Sequence, residues 1–486
     1  RCKLMTVKIL NYAVNGLGLG HITRLTAISR QIRRLALVAG IHTEITFLTS
    51  SENDDICYAN GFASFKIPSK NSLAKAQLSP HRYRKIAKQW IWNAVNLISP
   101  DIFVVDTFPG GSFNELFDVL DFGQKNVFIY RAVKPEMALE AGFQSVLKGY
   151  HRIIKPNEHG VNDSPVPDFA TERTVDVGEI FIRSRNEILS RSEARAVFDI
   201  SGDAIAVYVS VGGGGDANAV QLLEVFRSLA RKHPDVIFVF GAGSLYQGHE
   251  IHASNIRWTQ RPMIMEYFHA FDAAITAGGF NTVNELMHCG IPCVFLPQER
   301  KYDDQFNRVH KYANQGAGIV ANSLNIDELS KALLSVLDSK AEMSAVAKSL
   351  VPRNCAIDAA IEVLSTQVNR ARLEHSRALL TEAAIHTMGF APQEEYAYCE
   401  LLHAVDSLAA IESSGISHDT DTVQKLTKEW YLFARGNNRT IRDVLNAVRM
   451  CRRNHNVILQ QNIHTTMQEY IIQNPINPNN IRIPSP

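Results

Sequence analysis

The chain has 486 residues, more than a single hydrophobic core usually organises, so two or three domains are expected. Its 50 Lys and Arg residues are balanced by 49 Asp and Glu residues, which disfavours bulk attraction to nucleic acid or to an anionic membrane. The seven cysteines are scattered and lack metal-ligand spacing, as is typical of reduced structural thiols in a cytoplasmic protein. No apolar run has the length of a transmembrane helix or of a signal-peptide core, and Met5 could be the natural start.

The chain opens with a predicted strand, a glycine turn and an amphipathic helix. The strand is MTVKILNYAV, residues 5–14, and the turn and helix follow in NGLGLGHITRL. The turn only superficially matches the dinucleotide fingerprint, because Glu44 is the only, and a poor, candidate for the acidic ribose residue. His21 stands where the carboxyl end of the strand meets the helix, which is the ligand side of an open α/β sheet. A helix-cap or surface role is the alternative.

A second ionisable group is predicted at the same sheet edge. In PDIFVVDTFPGG, residues 102–105 form a buried strand, Asp106 follows it, and Pro109-Gly110-Gly111 is predicted to turn the chain into another helix. The carboxyl ends of parallel strands meet at one edge, so Asp106 is predicted near His21, as an acid that orients a base would be. A plain turn role for Asp106 is the alternative.

Residues 79–98 are predicted to form a helix that carries four basic residues beside aromatic ones. The set is Arg82, Arg84, Lys85 and Lys88 with Trp90 and Trp92. This helix could contact a membrane lipid, or it could pack on the sheet and expose a solvated face.

The α/β pattern restarts after a segment rich in proline and charge at 160–178, which is predicted as the domain junction. A strand at 204–211 ends in Gly212, Gly213, Gly214 and Gly215, and a helix at 217–233 and a strand at 236–241 follow. Successive glycines expose backbone amides that suit a polyanion. No Gly-Lys-Ser/Thr follows, so a P-loop and ATP hydrolysis are disfavoured.

Residues 273–309 contain the densest set of structural signals. A strand at 273–277 leads through Gly278-Gly279 into a helix that ends near Gly290, and a strand at 293–296 follows. Thr282 and Glu285 have the spacing of a capping box. The start of such a helix forms an anion site, usually for phosphate. An ordinary βαβ unit without a ligand is the alternative.

This region carries a family resemblance. Residues 256–308, from IRWTQRPM to DDQFNR, resemble the donor-binding region of GT-B nucleotide-sugar glycosyltransferases. The similar families are the family 28 type, which includes the peptidoglycan lipid-intermediate N-acetylglucosaminyltransferase, and the plant and antibiotic glycosyltransferases. GLGLGHITR and VVDTFPGGSFNEL are similar to bacterial and archaeal relatives of the first group. The resemblance extends over roughly residues 5–365.

The resemblance implies an α/β fold in which two Rossmann-like domains face each other across a cleft. Residues 5–175 would form the acceptor domain, and 176–372 the donor domain with a helix that returns to the first domain. Residues 373–474 read as an all-helical extension, and 475–486 as an extended or disordered tail. The extension carries a predicted basic stripe, which is more typical of a solvated or intersubunit face: Arg439, Arg442, Arg449, Arg452 and Arg453.

The resemblance also implies roles for individual residues. His21 would be the general base and Asp106 the acid that orients it, while Gly18, Gly20 and Arg24 would line the acceptor side. Trp258 and Gln260 would flank the nucleotide base, Glu285 would bind the ribose, and Asp304 and Gln305 would hold the sugar. The donor diphosphate would be held by Gly212, Gly213, Gly214, Gly215, Gly278, Gly279, Asn281 and Thr282.

Two departures from the family pattern affect these roles. Ala277 stands where plant-type members carry a phosphate-contacting histidine, and Trp258-Thr259-Gln260 lacks the usual proline. The second departure leaves the preference for uridine open. Glu285 could also act only in the capping box.

The resulting prediction is an inverting glycosyltransferase that uses a nucleotide diphosphate sugar, with UDP favoured, and needs no metal or cofactor. The acceptor is left open among a lipid-linked hydroxyl, a glycan and a small molecule. The expected location is cytoplasmic, with peripheral membrane contact and homo-oligomerisation through the helical extension open, and no nucleic-acid partner. Two alternatives are a nucleotide-sugar hydrolase, which shares a G-x-G-H-x-x-R opening, and a non-catalytic scaffold with a vestigial donor site.

Overall fold

The named strands in the computed structural model of the chain all pair in parallel and form two separate sheets. The structure describes residues 5–14, 19–157, 164–212, 218–243, 245–299, 303–380 and 392–412, with 421, 423–425, 427–428 and 431. Residues 34–41 group with the chain from 374 onward in one compact unit, and the rest of the chain forms the other. Both sheets belong to this other unit.

The first sheet has the strand order β3-β2-β1-β4-β5-β6-β7. Its strands are β1 (Thr6–Ala13), β2 (His42–Thr49), β3 (Ala63–Lys66), β4 (Ile102–Asp106), β5 (Lys125–Ile129), β6 (Arg152–Pro156) and β7 (Thr174–Val177). The helices between them are α1 (Gly20–Val38), α2 (Asp55–Ala59), α3 (Lys70–Lys75), α4 (Pro80–Ile98), α5 (Pro135–Ala138) and α6 (Ala141–Val146).

The second sheet has the order β10-β9-β8-β11-β12-β13. Its strands are β8 (Ile205–Ser210), β9 (Val236–Gly241), β10 (Ile256–Thr259), β11 (Ala273–Thr276), β12 (Cys293–Phe295) and β13 (Gly318–Val320). The helices are α7 (Arg191–Val197), α8 (Ala219–Lys232), α9 (Phe280–Cys289), α10 (Gln305–Asn314), α11 (Ile326–Asp338), α12 (Lys340–Leu350), α13 (Ala356–Leu364), α14 (Arg370–Leu379) and α15 (Pro392–Glu412).

The central strands are buried on both faces because helices cover both sides of the sheets. Every residue of β4 and of β11 is buried, and their apolar runs are typical of parallel strands covered on both faces. The second sheet's core includes Phe226 of α8 and Leu333 of α11. α13 packs on β6 of the first sheet, where Arg152 Nη2 lies 3.3 Å from Glu362 Oε2.

Two features of the first sheet differ from the sequence prediction. The helix predicted after Pro109-Gly110-Gly111 is absent, and residues 107–124 run through turns instead. The Glu115 carboxylate accepts hydrogen bonds from the backbone N–H groups of Ser112 and Phe113 at 2.8 and 2.7 Å. Such side-chain-to-backbone hydrogen bonds stabilise a turn in competition with a helix. The predicted junction at 160–178 contains β7, so the first sheet continues two residues past the expected boundary at 175.

The other compact unit is helical where the structure describes it. Tyr398, Leu401, Leu402 and Val405 are buried on α15. Within this unit Arg34 Nη2 donates to Glu395 Oε2 at 2.8 Å, and both side chains are at most 4% exposed. The basic stripe at 439–453 and the tail at 475–486 lie outside the described residues.

The described helices bear on membrane insertion, and the described His, Cys, Asp and Glu side chains bear on metal binding. None of these helices is both long enough and apolar enough to cross a membrane. The same residues contain no group of three or more His, Cys, Asp or Glu side chains placed to hold a metal ion. The described cysteines are buried, and burial raises the pKa of Cys57 and of Cys355 to about 12.

Candidate active site

A cavity of about 700 Å³ lies where the carboxyl ends of the two sheets meet. In each sheet the strand order changes direction at one point, between β1 and β4 in the first sheet and between β8 and β11 in the second. Open α/β sheets bind ligands in the crevice at such a point. His21 after β1, Gly212 after β8 and Gly279 after β11 all line the cavity.

His21 and Asp106 are in contact, as the sequence predicts. His21 Nδ1 lies 2.8 Å from Asp106 Oδ2, and Asp106 is fully buried, whereas the His21 side chain is 19% exposed. Arg24, one turn further along α1, donates from Nη1 to Asp106 Oδ1 and Oδ2 at 2.8 and 2.7 Å. The carboxylate therefore bridges the imidazole ring and a guanidinium group.

The electrostatics of this cluster favour a neutral imidazole. Burial lowers the pKa of His21 from its ordinary value, and Arg24 and Arg131 lower it further against the opposing effect of Asp106. Burial alone would raise the pKa of Asp106, but Arg24 and the His21 hydrogen bond outweigh burial and lower it. An ionised Asp106 accepts a hydrogen bond from Nδ1–H, so the neutral ring has its lone pair at Nε2, where a general base needs it.

The backbone turns sharply just after Asp106. Thr107 is buried and has a φ of 64°, and its N–H donates to the carbonyl oxygen of Ile129 at 2.9 Å. The next residue, Phe108, places its ring 5.6 Å from the His21 ring, measured between centroids. The Phe108 ring therefore flanks the His21 imidazole.

The start of α9 forms the opposite wall of the cavity. The helix begins at Phe280 with Gly279 as its N-cap, and the first intrahelical hydrogen bond runs from Val283 N to Gly279 O at 3.0 Å. The preceding backbone N–H groups of the first turn, at residues 280–282, therefore lie before the helical hydrogen-bond ladder, as an anion site requires. The predicted capping box of Thr282 and Glu285 is wrong, because both residues lie inside the helix.

Glu285 faces the cavity from the second turn of α9. It is only 6% exposed, and burial raises the pKa of its carboxyl to about 8. The carboxyl is therefore mostly protonated at neutral pH and can donate a hydrogen bond as well as accept one. Asn281, at the helix start, donates from Nδ2 to the carbonyl oxygen of Gly20 at 3.2 Å, while its Oδ1 is buried without a hydrogen-bond partner.

Of the predicted sugar-holding pair, only Gln305 lines the cavity. Its Oε1 accepts hydrogen bonds from the backbone N–H groups of Gly278 and Gln298 at 3.1 and 3.0 Å, so it fixes the glycine turn. Asp304 instead is the N-cap of α10, with Oδ1 3.1 Å from the Asn307 N–H. Its neighbour Asp303 lines the cavity in its place.

The residues predicted to flank the nucleotide base also lie beside the cavity rather than in its wall. Trp258 is half-buried against Tyr246, and its indole Nε1 is buried without a partner, while Gln260 donates to the carbonyl oxygen of Tyr246 at 3.2 Å. The adjoining Thr259 and Arg261 line the cavity. Gly212 lines it with a φ of 78°, whereas Gly18 and Gly213–Gly215 are outside the described residues.

A charged cluster that the sequence reading missed joins the two sides. Arg131, two residues past β5, donates from Nη1 to Asp303 Oδ1 at 2.7 Å, and Arg308 Nη2 lies 2.7 Å from the same oxygen. The guanidinium carbons of Arg24, Arg131 and Arg308 lie 5.0, 6.0 and 5.6 Å from the centre of the Phe280 ring. The position of Arg131 near a strand's carboxyl end was a usable signal, whereas its pairing with Asp303 was not visible in the sequence.

The part of the cavity formed by the first sheet combines an apolar patch with polar side chains. Ile67, Tyr83, Phe108 and Phe113 form the patch, with Tyr83 and Phe113 in an edge-to-face contact 6.0 Å apart. Two polar groups of this wall are engaged with each other, because the Tyr12 hydroxyl donates to Glu115 Oε1 at 2.6 Å.

The sequence is similar to known glycosyltransferases over part of its length. Residues 207–357 match the glycosyltransferase family 28 C-terminal domain. The UDP-N-acetylglucosamine--N-acetylmuramyl-(pentapeptide) pyrophosphoryl-undecaprenol N-acetylglucosamine transferase of Aquifex aeolicus (strain VF5) is 28% identical over 134 residues. That alignment covers 27% of this chain and 39% of the relative, so the chain matches about two fifths of the relative's length.

Solved structures match over a larger part of the chain at lower identity. A spinosyn forosaminyltransferase has a TM-score of 0.53 at 13% identity, covering 76% of this chain and 99% of that one. A calicheamicin glycosyltransferase has 0.51 at 17% identity, covering 76% and 99%. The glycosyltransferase SnogD of Streptomyces nogalater has 0.51 at 14% identity, covering 75% and 100%. At these identities the likeness concerns the fold alone, and it confirms the predicted GT-B fold with two α/β domains; the match to the glycosyltransferase family 28 C-terminal domain is confined to residues 207–357.

Proposed function

We propose that this protein is a glycosyltransferase that moves a sugar from a nucleotide diphosphate sugar to a hydroxyl group of an acceptor, with His21 as the general base. The observation that carries the proposal is that the His21–Asp106 pair and the start of α9 line one cavity from opposite sides. A base and an anion site facing each other match the two ends of a glycosyl transfer. The family 28 domain match supports the same reaction class.

In the proposed reaction, His21 Nε2 removes the acceptor proton while the acceptor oxygen attacks the anomeric carbon. The bond between that carbon and the diphosphate oxygen breaks, and the leaving group takes the electron pair. The backbone N–H groups at the start of α9 then stabilise the new negative charge. A single displacement of this kind inverts the anomeric configuration.

The donor residues keep their predicted roles with the changes that the geometry requires. We assign the diphosphate to Gly212, Gly278, Gly279, Asn281 and Thr282, the ribose to Glu285, and the sugar to Gln305 and Asp303. Thr259 and Arg261 replace Trp258 and Gln260 as the cavity residues nearest the nucleotide base. A UDP-linked donor is the first choice, since the Aquifex relative is named as a UDP-N-acetylglucosamine-dependent transferase.

The acceptor is proposed to carry its hydroxyl on an uncharged, apolar body. The first-sheet wall offers aromatic and aliphatic side chains, and burying such surface favours binding by about 25 cal/mol per Å². The charged cavity residues of the first sheet are engaged: Arg24 with Asp106, Arg131 with Asp303, and Glu115 with Tyr12. We therefore propose an alcohol or phenol, whose body would pack on the aromatic patch, as the first acceptor class to test.

Contact with a membrane surface would explain one exposed face of α4. Ile86, Trp90 and Leu97 are 50, 57 and 86% exposed, and basic residues including Arg82 and Lys85 accompany them. Flotation with anionic liposomes distinguishes a membrane-borne acceptor from a soluble one, with Trp90→Ser as the matched variant. Protein that stays at the bottom of the gradient would exclude the membrane source and leave a soluble acceptor.

The proposal is tested by combining a donor panel with a substitution of the base. Nucleotide sugars are first screened for a rise in melting temperature, and the best donor is then assayed with alcohols and phenols. His21→Ala is expected to lower kcat/KM for transfer by about 10²- to 10⁴-fold while the donor still raises the melting temperature. His42→Ala, which removes an exposed histidine at the start of β2, is the control and should keep full activity.

Three results would contradict the proposal. Unchanged transfer by His21→Ala would remove the base assignment. Release of free sugar at the same rate with and without acceptor would indicate a nucleotide-sugar hydrolase. Failure of every nucleotide sugar to raise the melting temperature would indicate a scaffold.

A further inference from the structure

Arg131, Asp303 and Arg308 form a charged triad between the sheets, and of the three only Asp303 has a role in the proposed chemistry. We infer that Arg131 is a positioning residue that holds the start of α9 in a fixed position opposite His21 and keeps the imidazole able to accept a proton. This inference rests on the proposed glycosyl transfer. Arg131 itself need not touch the sugar or the acceptor, so its role differs from that of the base and of the donor-binding residues.

A continuous series of contacts runs from the first sheet to the donor side of the cavity. Arg131 Nη1 holds Asp303 Oδ1 at 2.7 Å, and Arg308 holds the two Asp303 oxygens at 2.7 and 3.2 Å. Arg308 Nη1 then donates to the carbonyl oxygen of Gly278 at 2.6 Å. Gly278 is the residue before the N-cap of α9, so an arginine at the end of β5 reaches the donor turn through three contacts.

Phe280, the first residue of α9, packs among the same cations. The centre of its ring lies 5.0 Å from the guanidinium carbon of Arg24, whose guanidinium group also binds Asp106. Arg131 lies on the same ring at 6.0 Å. Cation–π contacts of this kind are worth about 0.5 to 2 kcal/mol each, depending on desolvation. The arginine that fixes Asp106 and the one that fixes Asp303 are thus both seated on one aromatic residue of the donor helix.

The charged groups that shift the pKa of His21 are Asp106 from β4, Arg24 from α1 and Arg131 from the end of β5. The other charged or titratable residues that line the same cavity are Tyr12, Tyr83, Glu115, Tyr208, Arg261, Glu285 and Asp303. Arg131 lowers the pKa of His21, in the same direction as burial and Arg24, whereas Asp106 raises it. A neutral residue at 131 therefore raises the pKa of His21 and leaves less neutral base at a given pH below neutrality.

The ion pair could instead serve only to stiffen the protein. Asp303 is nearly buried, and although burial raises its pKa, Arg308 and Arg131 lower it well below the ordinary range. Loss of a partner in such a pair is expected to lower stability in any case. A readout that stability alone does not move is needed, and the pH dependence of the reaction provides it.

The experiment compares Arg131→Met and Arg131→Lys with Arg152→Gln. Arg152, on β6 of the first sheet, pairs with Glu362 on α13 and lies outside the cavity lining. Its replacement is therefore the matched control. kcat, donor KM and the pH profile of kcat/KM are measured for each. The imidazole signals of His21 are titrated by NMR in the same variants, which gives its pKa without turnover.

Arg131→Met is expected to lower kcat by about ten- to a hundredfold, because a small displacement of the donor turn misaligns the reacting atoms. The acid limb of its pH profile of kcat/KM and the NMR titration of His21 should both move to higher pH. Arg131→Lys should keep the acid limb near that of the parent protein, since the charge remains, while kcat is only partly restored. Arg152→Gln should match the parent in both measurements.

The inference is overturned if Arg131→Met leaves both the acid limb and the His21 titration unmoved, or if Arg152→Gln moves them equally. In the first case transfer by the parent protein would persist, and only the role of Arg131 would fail. Absence of transfer by the parent protein with every donor would overturn the proposed function and this inference together. If Arg131→Met folds poorly, Arg131→Gln takes its place, because it is also neutral at position 131 and is expected to move the His21 titration and the acid limb in the same direction.

Discussion

Glu285 shows how burial changes the chemistry of a single carboxyl group. Its pKa of about 8, against an ordinary 4.5, means that between these values the folded protein binds a proton that the unfolded chain has released. Folding stability therefore falls as the pH rises through this window. The cost at its upper end is on the order of a few kcal/mol.

Glu285→Gln is expected to remove this pH dependence. The amide is neutral at every pH and has nearly the same shape, so the variant should match the parent protein near pH 5 and be more stable than it near pH 8. Urea unfolding at both pH values measures the difference. A gap between the two proteins that stays constant with pH would contradict a raised Glu285 pKa.

Sequence reasoning succeeded at the residue scale where position along a strand decides the contact. His21 lies at the start of α1 after β1, and Asp106 is the last residue of β4, the neighbour of β1 in the sheet; His21 Nδ1 and Asp106 Oδ2 lie 2.8 Å apart. It did not reveal Asp303, because Asp303 and Asp304 are adjacent acids and only the start of α10 decides which one caps the helix. The pairing of Arg131 with Asp303 spans 172 residues and has no local signal.

At the scale of elements, the turn before α9 contains two glycines with different roles. A Cβ on Gly278 would lie 2.7 Å from the Gln305 Cβ and 3.0 Å from the Gln305 carbonyl oxygen. A Cβ on Gly279 would meet no described atom within 4 Å, and the φ of Gly279 is −62°, which other residues adopt. Only the first glycine is needed for packing.

Substitution of the two glycines by alanine separates packing from ligand binding. Gly278→Ala is expected to lower the free energy of unfolding by about 1–3 kcal/mol, because the backbone at Gln305 has to move. Gly279→Ala should leave stability unchanged but place a methyl group beside the N–H groups of the first turn, weakening nucleotide-sugar binding about tenfold, or about 1.4 kcal/mol. Chemical denaturation and calorimetric titration measure the two effects, and equal destabilisation by both variants would contradict this division.

The helices and strands themselves were mostly predictable, because buried parallel strands and amphipathic helices leave clear patterns. The exception after β4 has a long-range cause. Glu115 holds two backbone N–H groups of the turn and the hydroxyl of Tyr12, a residue 103 positions earlier in the chain. No local pattern in PGGSFNEL distinguishes such a turn from a helix start.

At the scale of the whole molecule, the two α/β halves were visible as a repeated pattern, whereas the extent of the helical unit was not. Residues 34–41, the end of α1 and the turn after it, group with the C-terminal helices. Arg34 pairs with Glu395, His403 hydrogen-bonds through Nδ1 to the carbonyl oxygen of Val38 at 2.9 Å, and Gly40 leaves room for the His403 ring. In the sequence, Arg34 is simply another position of an amphipathic helix.

Removal of the residues after 373 is therefore expected to damage the protein rather than trim it. The truncated chain would leave Arg34 without Glu395, and breaking a buried ion pair costs about 3–5 kcal/mol. Glu395→Gln in the full chain should show a loss of this order by urea unfolding, whereas Asp327→Asn, which changes an exposed pair with Lys232, should show little. A truncated protein with an unchanged melting temperature would contradict this expectation.

The backbone at Thr107 carries a cost that its neighbours explain. A β-branched residue with a φ of 64° is held in a conformation that ordinarily costs about 1–2 kcal/mol, and it sits directly after the carboxylate that orients the proposed base. This strained residue connects Asp106, which contacts His21, to Phe108, whose ring packs beside the His21 ring. Directed evolution for heat resistance alone is expected to select glycine or asparagine at position 107, because these residues relax the backbone. The gain in thermal tolerance would loosen Asp106, the carboxylate on which the proposed transfer depends.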